Sequence, residues 1–386
     1  MINKPVDFYC SEKFTWLSLD FEKRLSYSCC KAHPDKIDIS WLKQNPGQIF
    51  NTDLLKSERQ NMLENIPVKS CHTACGLPES QGFTSRRLQR GQEKTHSNIN
   101  ASPETLNIIL GSSCNLTCSY CCKQYSTAWL QDVKNNGVYI DSDRFTLLPI
   151  DRVLSKVSQK EHENTNDFSL LLDEVNSFDN LKKVYVTGGE PFLYNRLSSL
   201  LENIPRSVEI SIFTGLGVNH TRLINQINKI KHMTNLKIVV SAENIDDFYE
   251  FNRYGNSYKN FEINLQSIIN SGLTLTFWSV ISNLTVFGLK DFANKYKHID
   301  INYDFCYDPD YLGVHVLDNN SKEELKKSLL TSAIPNKDAI IQALTIDHTQ
   351  EQQQNFSIFV TEFARRRNLD LKIFPDSMLQ WLNHVV

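Results

Sequence analysis

No apolar run in this 386-residue chain approaches the roughly 20 residues that a membrane-spanning helix requires. Its first residues, Met1-Ile2-Asn3-Lys4-Pro5-Val6-Asp7, lack the long apolar core of a secretory leader. These two absences lead us to expect a cytoplasmic protein with no membrane contact. Strong charge of one sign is missing too: 41 Lys and Arg face 44 Asp and Glu, for a net charge of −3. Such a balance creates no field that would recruit nucleic acid or an anionic membrane. Arg86, Arg87 and Arg90 are the only basic cluster near the cysteine-rich region, so nucleic acid is not an expected partner. Hydrophobic content of 40% and charged content of 22% are ordinary for a globular protein. The length allows two or three units at about 150 residues each.

Cysteine, by contrast, is abundant. Ten cysteines without an export signal point to metal rather than to disulfides. Nine of the ten precede residue 123, which marks the N-terminal third as metal-bearing; Cys306 stands apart and reads as a small buried apolar residue.

The stretch Cys114-Asn115-Leu116-Thr117-Cys118-Ser119-Tyr120-Cys121 follows the apolar run Leu106–Leu110 and spaces three cysteines as C-x3-C-x2-C. Thiolate is the soft ligand that iron–sulfur clusters take, so three of them can hold three irons of a 4Fe-4S cube. The fourth iron then has no protein ligand nearby in sequence. An open position on a metal is where a substrate or cofactor binds. Zinc completed by Cys122 or a distant residue, or simple buried thiols, are the competing readings. Further on, Val184-Tyr185-Val186-Thr187-Gly188-Gly189-Glu190-Pro191 reads as a β-branched strand running into a glycine turn. Two glycines let backbone approach a ligand closely, and Glu190 adds an acceptor for an ammonium group.

These two motifs, in this order, resemble the radical S-adenosylmethionine (radical SAM) superfamily. The resemblance implies that Cys114, Cys118 and Cys121 ligate a 4Fe-4S cluster, with Tyr120 beside the adenine of S-adenosylmethionine. Gly188, Gly189, Glu190 and Pro191 would meet the cofactor's amino group. One electron from the cluster would cleave the sulfonium to methionine and a 5'-deoxyadenosyl radical, which takes hydrogen from a substrate. A flavodoxin or ferredoxin-type reductant is implied as partner.

Strand candidates alternate with helix-length segments from about residue 104 to 305: Leu106–Leu110, Val184–Thr187, Val208–Phe213, Leu236–Ser241, Leu273–Val280 and Ile299–Tyr303. The helical candidates are Asp151–Phe178, Leu197–Ile204, Thr221–Lys231, Asn256–Ile269 and Leu289–Lys295. Such alternation predicts a parallel sheet with right-handed crossovers. The fold class expected is α/β. The family resemblance sharpens it to a partial (β/α)6 TIM-like barrel over 101–308, with a small cysteine-rich N-terminal domain over 1–100 and a helical C-terminal extension over 309–386. Both motifs then follow strands, at the edge where such sheets bind ligands. Thr214, Ser241 and Glu243 at two further strand ends are candidates for the cofactor's ribose and carboxylate, although strands also end in such residues for turn chemistry. Arg253 follows Glu250 by three residues; it either pairs with that acid or contacts a carboxylate of cofactor or substrate.

In the N-terminal hundred residues, Phe14–Asp20 alternates like a half-buried strand, Glu22-Lys23-Arg24 makes a turn, and Leu25–Ser28 returns as a hairpin partner ending at Cys29-Cys30. Cys71-His72-Thr73-Ala74-Cys75 lies well downstream. A hairpin ending in cysteine and closed later by a C-x3-C pair resembles the twitch (half-SPASM) auxiliary-cluster domain of some radical SAM enzymes, placed here before the barrel rather than after it. The resemblance implies a second, auxiliary 4Fe-4S cluster on Cys10, one of Cys29 or Cys30, Cys71 and Cys75. His33 and His72 are possible substitutes, and structural zinc is the alternative. The region from Ser57-Glu58-Arg59 to Pro67 reads as turn-rich, with too few apolar residues for a large core, and Gln92–Ala101 as a linker.

Past residue 306, helices are predicted near Lys322–Ser332, Asp338–Ile346 and Gln354–Arg367. Phe356, Phe359, Val360 and Phe363 recur at helical spacing and predict one buried side. The Gln352–Gln354 run and the triplet Arg365-Arg366-Arg367 read as solvated faces. The tail is expected to cover the open side of the barrel. The function expected is a radical SAM enzyme that oxidises or cross-links a peptide or another amino-acid-derived small molecule, aided by an auxiliary cluster. A nucleoside or sugar substrate is the alternative, and a zinc-binding interaction module the reading without catalysis.

Overall fold

The computed structural model describes residues 8–29, 32, 34–76, 79, 85, 87–88, 94–140, 165–306, 308–332, 334–335 and 337–385. A nine-stranded sheet organises them: β1 (Trp16–Asp20), β2 (Leu25–Tyr27), β3 (Asp35–Lys36), β4 (Thr105–Ile109), β5 (Lys183–Thr187), β6 (Glu209–Thr214), β7 (Leu236–Ser241), β8 (Thr274–Ile281) and β9 (Ile301–Phe305). Their order is β3-β2-β1-β4-β5-β6-β7-β8-β9. The first three strands pair antiparallel, while β1 joins β4 in parallel and every later pair is parallel as well.

Side-chain alternation explains the layers. Leu17, Leu106, Val184, Ile210 and Leu236 stand in register across five strands and are all buried in the main core. Helices cover this face. In helix His220–Ile230, Leu223, Ile227 and Ile230 recur every three or four residues and are buried in the same core, each worth about 1.5–3 kcal/mol. The opposite face carries the intervening residues Ser18, Asn107, Tyr185, Ser211 and Lys237.

The six strands expected between residues 104 and 305 fall within two residues of their predicted places. Two helical predictions change. Residues 151–164 of the first predicted helix lie outside the described residues, and its described part is Thr165–Asn176. The helix expected from Asn256 instead begins at Tyr258, capped by Ser257, and a separate helix Asp246–Asn252 precedes it.

The N-terminal segment shares the sheet. Its predicted hairpin is present, with Ser18 opposite Tyr27 and Arg24 turning the chain at φ 54°. Of the stretch read as turn-rich, residues 57–63 belong to a helix, Asp53–Leu63, whose Arg59 is fully buried, and the turn is confined to the residues after it. Arg59 donates to Phe50 O (2.8 Å), Ile99 O (2.7 Å) and Asn51 Oδ1 (2.9 Å) and lies over the Phe50 ring. A charge with several directed partners can be buried, and local polarity then misreads the element.

The C-terminal helices are Asn319–Leu330, Lys337–Ala343, Gln350–Arg367 and Asp376–Val385. A capping box of Thr349 and Gln352 opens the third, and Asn368, at φ 52°, closes it. Its phenylalanines are buried as predicted. Its arginines are not a solvated face. Arg365 is exposed, but Arg366 pairs with Asp132 at 3.3 Å and covers the Tyr139 ring. Arg367 donates to Thr117 Oγ1 (2.9 Å) and Tyr139 Oη (2.8 Å) and lies over Trp129. Cys306 is buried in the main core, as expected. Among the described residues no helix is long and apolar enough to cross a membrane.

Candidate functional site

The loop after β4 carries Cys114, Cys118 and Cys121, and an irregular loop must find partners for its backbone elsewhere. Ser112 donates through N and Oγ to the Glu22 carboxylate (2.6 and 2.9 Å), and Ser113 N donates to Tyr194 Oη (2.7 Å). Cys114 N donates to Thr127 Oγ1 (3.1 Å), and Trp129 Nε1 donates to Cys118 O (3.0 Å). On the other side, Thr117 N reaches Tyr254 O (2.8 Å) and Ser119 N reaches Asn252 O (2.9 Å). Ser119 Oγ adds a bond to Asn252 Oδ1 (2.8 Å). Cys121 N closes a turn onto Cys118 O at 2.9 Å.

The glycine turn after β5 is fastened directly to this loop. Gly189 N donates to Gly111 O and Glu190 N to Ser113 O, both at 2.8 Å. Gly188 sits at φ 122°, a conformation that favours glycine. A side chain on Gly189 would run into the carbonyl of Ser113. Pro191 fills the first position of the short turn Pro191–Leu193, where its missing N–H costs nothing.

Glu190 is 1% exposed. Its carboxylate accepts from Thr214 Oγ1 (2.8 and 2.9 Å), Gly215 N (3.0 Å) and Phe192 N (3.2 Å). Burial pushes its pKa above the ordinary carboxylate range, and these donors pull it back only in part. Thr214, expected at the cofactor, thus spends its proton on Glu190.

Glu243 and Arg253 form a buried pair. Arg253 Nη2 and Nε donate to the Glu243 carboxylate at 2.6 and 3.1 Å, which also accepts from Tyr120 Oη (2.6 Å) and Val280 N (3.2 Å). Arg253 Nη1 lies 3.6 Å from Cys118 Sγ, and the guanidinium stands 5.2 Å from the Tyr120 ring. Burial works against the Arg253 charge, yet Glu243 holds its pKa well above the usual value. Burial raises the Cys118 thiol, and Arg253 opposes that rise. Cys114 is pushed up to about 12 by burial and then by Cys118 and Glu190. Glu250, the acid expected as an alternative partner for Arg253, accepts instead from Tyr258 N at 2.9 Å.

Of the residues singled out in sequence, Cys118, Tyr120, Glu243 and Arg253 therefore form one contact network, and Cys114, Glu190 and Thr214 adjoin it. Ser241 ends β7 opposite Trp278, outside that network. Asn252, Tyr194, Glu22 and Arg367, which all hold the loop directly, carried no sequence signal beyond their residue type.

The second cysteine set also converges. Cys10, Cys29, Cys71 and Cys75 line one small cavity together with Glu12, Lys13 and Arg87. Burial, together with Cys29 and Cys71, pushes the Cys10 thiol up to about 12; burial also raises Cys71, and Lys13 opposes it. Cys29 packs with Trp16 and Ala32 against Tyr185 on the sheet. Cys30 and His33 lie outside the described residues, and His72 is not part of the cavity lining. Among the described residues no three His, Cys, Asp or Glu side chains are disposed to hold a single metal ion. A cube spreads its thiolates over separate irons, a wider arrangement than one ion takes.

Residues 108–294, just under half of the chain, match the model of the Radical SAM superfamily. The match takes in the three-cysteine loop, the glycine turn and the Glu243–Arg253 pair. No curated protein matches the chain. Among solved structures, native anSMEcpe with bound AdoMet is similar at 14% identity, over 68% of this chain and 60% of that one, with a TM-score of 0.38. Streptococcus suis SuiB bound to S-adenosylmethionine is similar at 14% identity, over 86% of this chain and 69% of that one, with a TM-score of 0.34. SuiB bound to the precursor peptide SuiA is similar at 12% identity, over 94% and 71%, with a TM-score of 0.36. The chain thus spans about 60% of the length of the anSMEcpe structure.

Proposed function

We propose that this protein is a radical SAM enzyme, with β4–β9 and their helices forming its partial barrel. The observation that carries the reading is the junction of the two motifs: the cysteine loop and the Gly-Gly-Glu turn are hydrogen-bonded to each other at one sheet edge, within the family match. The donor set fits the group. Three thiols on one loop suit three irons of a cube, and the buried Arg253 beside Cys118 offsets thiolate charge. Gly188 and Gly189 let the turn close onto the carbonyls of Gly111 and Ser113 on the cysteine loop, and Tyr120 presents a ring held by Glu243. When bound, the cluster and S-adenosylmethionine supply one-electron sulfonium cleavage and a hydrogen-abstracting nucleoside radical. Cys114, Cys118 and Cys121 would hold the first cluster, while Gly188, Gly189, Glu190, Pro191, Thr214, Ser241, Glu243 and Arg253 frame the cofactor.

Cys10, Cys29, Cys71 and Cys75 would hold a second 4Fe-4S cluster, a reading supported by their shared cavity. The substrate is a peptide or amino-acid-derived molecule, as the resemblance to auxiliary-cluster enzymes implies, and a flavodoxin or ferredoxin supplies electrons, as the resemblance to the radical SAM superfamily implies. The test is anaerobic reconstitution, dithionite reduction and measurement of 5'-deoxyadenosine released from S-adenosylmethionine. Release should vanish in Cys114→Ala, Cys118→Ala and Cys121→Ala. Retained release in all three refutes the proposal.

A further inference from the structure

We infer that the buried Lys13–Glu58 pair is the positioning device of the four-cysteine centre, clasping the three separate segments that carry Cys10, Cys29 and Cys71. The inference rests on the second-cluster reading above. Lys13 is 2% exposed, three residues past Cys10. Its ammonium donates to Ser28 Oγ, to Glu58 Oε2 and to Ser70 Oγ (3.0 Å). Ser28 immediately precedes Cys29, and Ser70 immediately precedes Cys71. Glu58 completes the knot from helix Asp53–Leu63, accepting from Ser70 on one oxygen and from Ser28 (3.2 Å) and Lys13 on the other. All three ammonium protons are thereby used, each on a different ligand-bearing segment or on the shared acid.

Apolar packing alone does not explain how these segments are held. Among the described residues, Cys10 and Cys71 pack with Met62 and Val68, while Cys29 packs separately with Trp16 and Ala32. Replacing a buried ion pair by apolar groups is often neutral or stabilising, so the pair is better understood as fixing geometry than as adding stability. Directed, charge-assisted bonds fix the direction of each neighbouring cysteine in a way that packing does not. Lys13 also lines the cavity itself, where its charge offsets that of the surrounding thiolates.

The test uses the full chain, prepared metal-free and then reconstituted anaerobically with iron and sulfide. Wild type is expected to hold about eight irons, Lys13→Met about four, and Lys13→Arg, which keeps charge and donors, about eight again. Before reconstitution, deuterium from solvent should label the backbone amides of Cys29 and Cys71 about tenfold faster in Lys13→Met than in wild type, with the amide of Cys114 unchanged. Should Lys13→Met fail to fold, Ser70→Ala removes one strand of the clasp and should speed labelling of Cys71 several-fold. Lys13→Met with about eight irons and wild-type labelling overturns the inference alone. About four irons in wild type, with the barrel cysteines loaded, overturns the second centre itself, and the labelling rates still report on the clasp.

Discussion

The two cysteine sets are held by different chemistry, although both sit against the same sheet. Around Cys114–Cys121 the fastening is mostly backbone: the loop hangs between strand ends and is bonded to the glycine turn, to the Asn252–Tyr254 segment and to Thr127. Around Cys10, Cys29, Cys71 and Cys75 it is charge: Lys13 with Glu58 on one side, Arg87 with Glu79 on the other. The first loop borrows rigidity from a sheet buried in a large core, so amides and carbonyls suffice. Among the described residues the second set packs in two small separate clusters, Cys10 and Cys71 with Met62 and Val68, and Cys29 with Trp16 and Ala32, and strong directed bonds join them. The backbone fastening of the first loop also depends on glycine: Gly188 and Gly189 let the turn close onto the carbonyls of Gly111 and Ser113, where a Cβ would collide.

The Glu243–Arg253 pair, on the backbone-held side, gives the sharpest break in this contrast. Arg253→Met leaves the Glu243 carboxylate buried and uncompensated, and should cost about 3–5 kcal/mol in denaturant unfolding. A loss below 1 kcal/mol would mean that this pair matters no more than a surface one. Gly189→Ala tests the backbone fastening itself. Its methyl must displace the Ser113 carbonyl, and a shift of that order at the reacting geometry should lower 5'-deoxyadenosine release about 100-fold with the fold retained. Wild-type turnover would show that the turn does not need so close an approach.

The smallest effect, per pH unit, should be shared by both sets. In the metal-free chain Cys10 and Cys114 titrate at about 12, against an ordinary value near 9. Between those values the folded chain keeps protons that the unfolded chain has lost. Stability must therefore be full below about pH 8.5 and fall as pH rises, by about 1.4 kcal/mol per unit from each thiol. Thermal melting from pH 8 to 10 measures it; a flat profile would place both thiols in more polar surroundings than the structure does.

The core strands and both motifs were legible because their information is local: alternating apolar residues, a cysteine triplet and a glycine pair each lie within a few consecutive positions. The partners were not. Tyr120 was read as facing a ligand and Arg253 as pairing with Glu250 or meeting a carboxylate of cofactor or substrate; both bond to Glu243, from 123 and 10 residues away. Arg366 and Arg367 read as a solvated triplet because periodicity registers charge and not its compensation, here by Asp132, Thr117 and Tyr139 from more than 200 residues upstream. Lys13 carried no signal for the same reason: its three acceptors come from positions 28, 58 and 70.

The parallel pairing of β1 with β4 has a geometric consequence. Cys29 leans on Trp16 at the start of β1, while Cys114 follows the end of β4, the very next strand. Adjacent strands lie about 4.8 Å apart and are locked by five consecutive Cα pairs. Lateral displacement of one sulfur group from the other is therefore set by ladder rungs rather than by a tether, and swinging them apart would mean tearing the sheet.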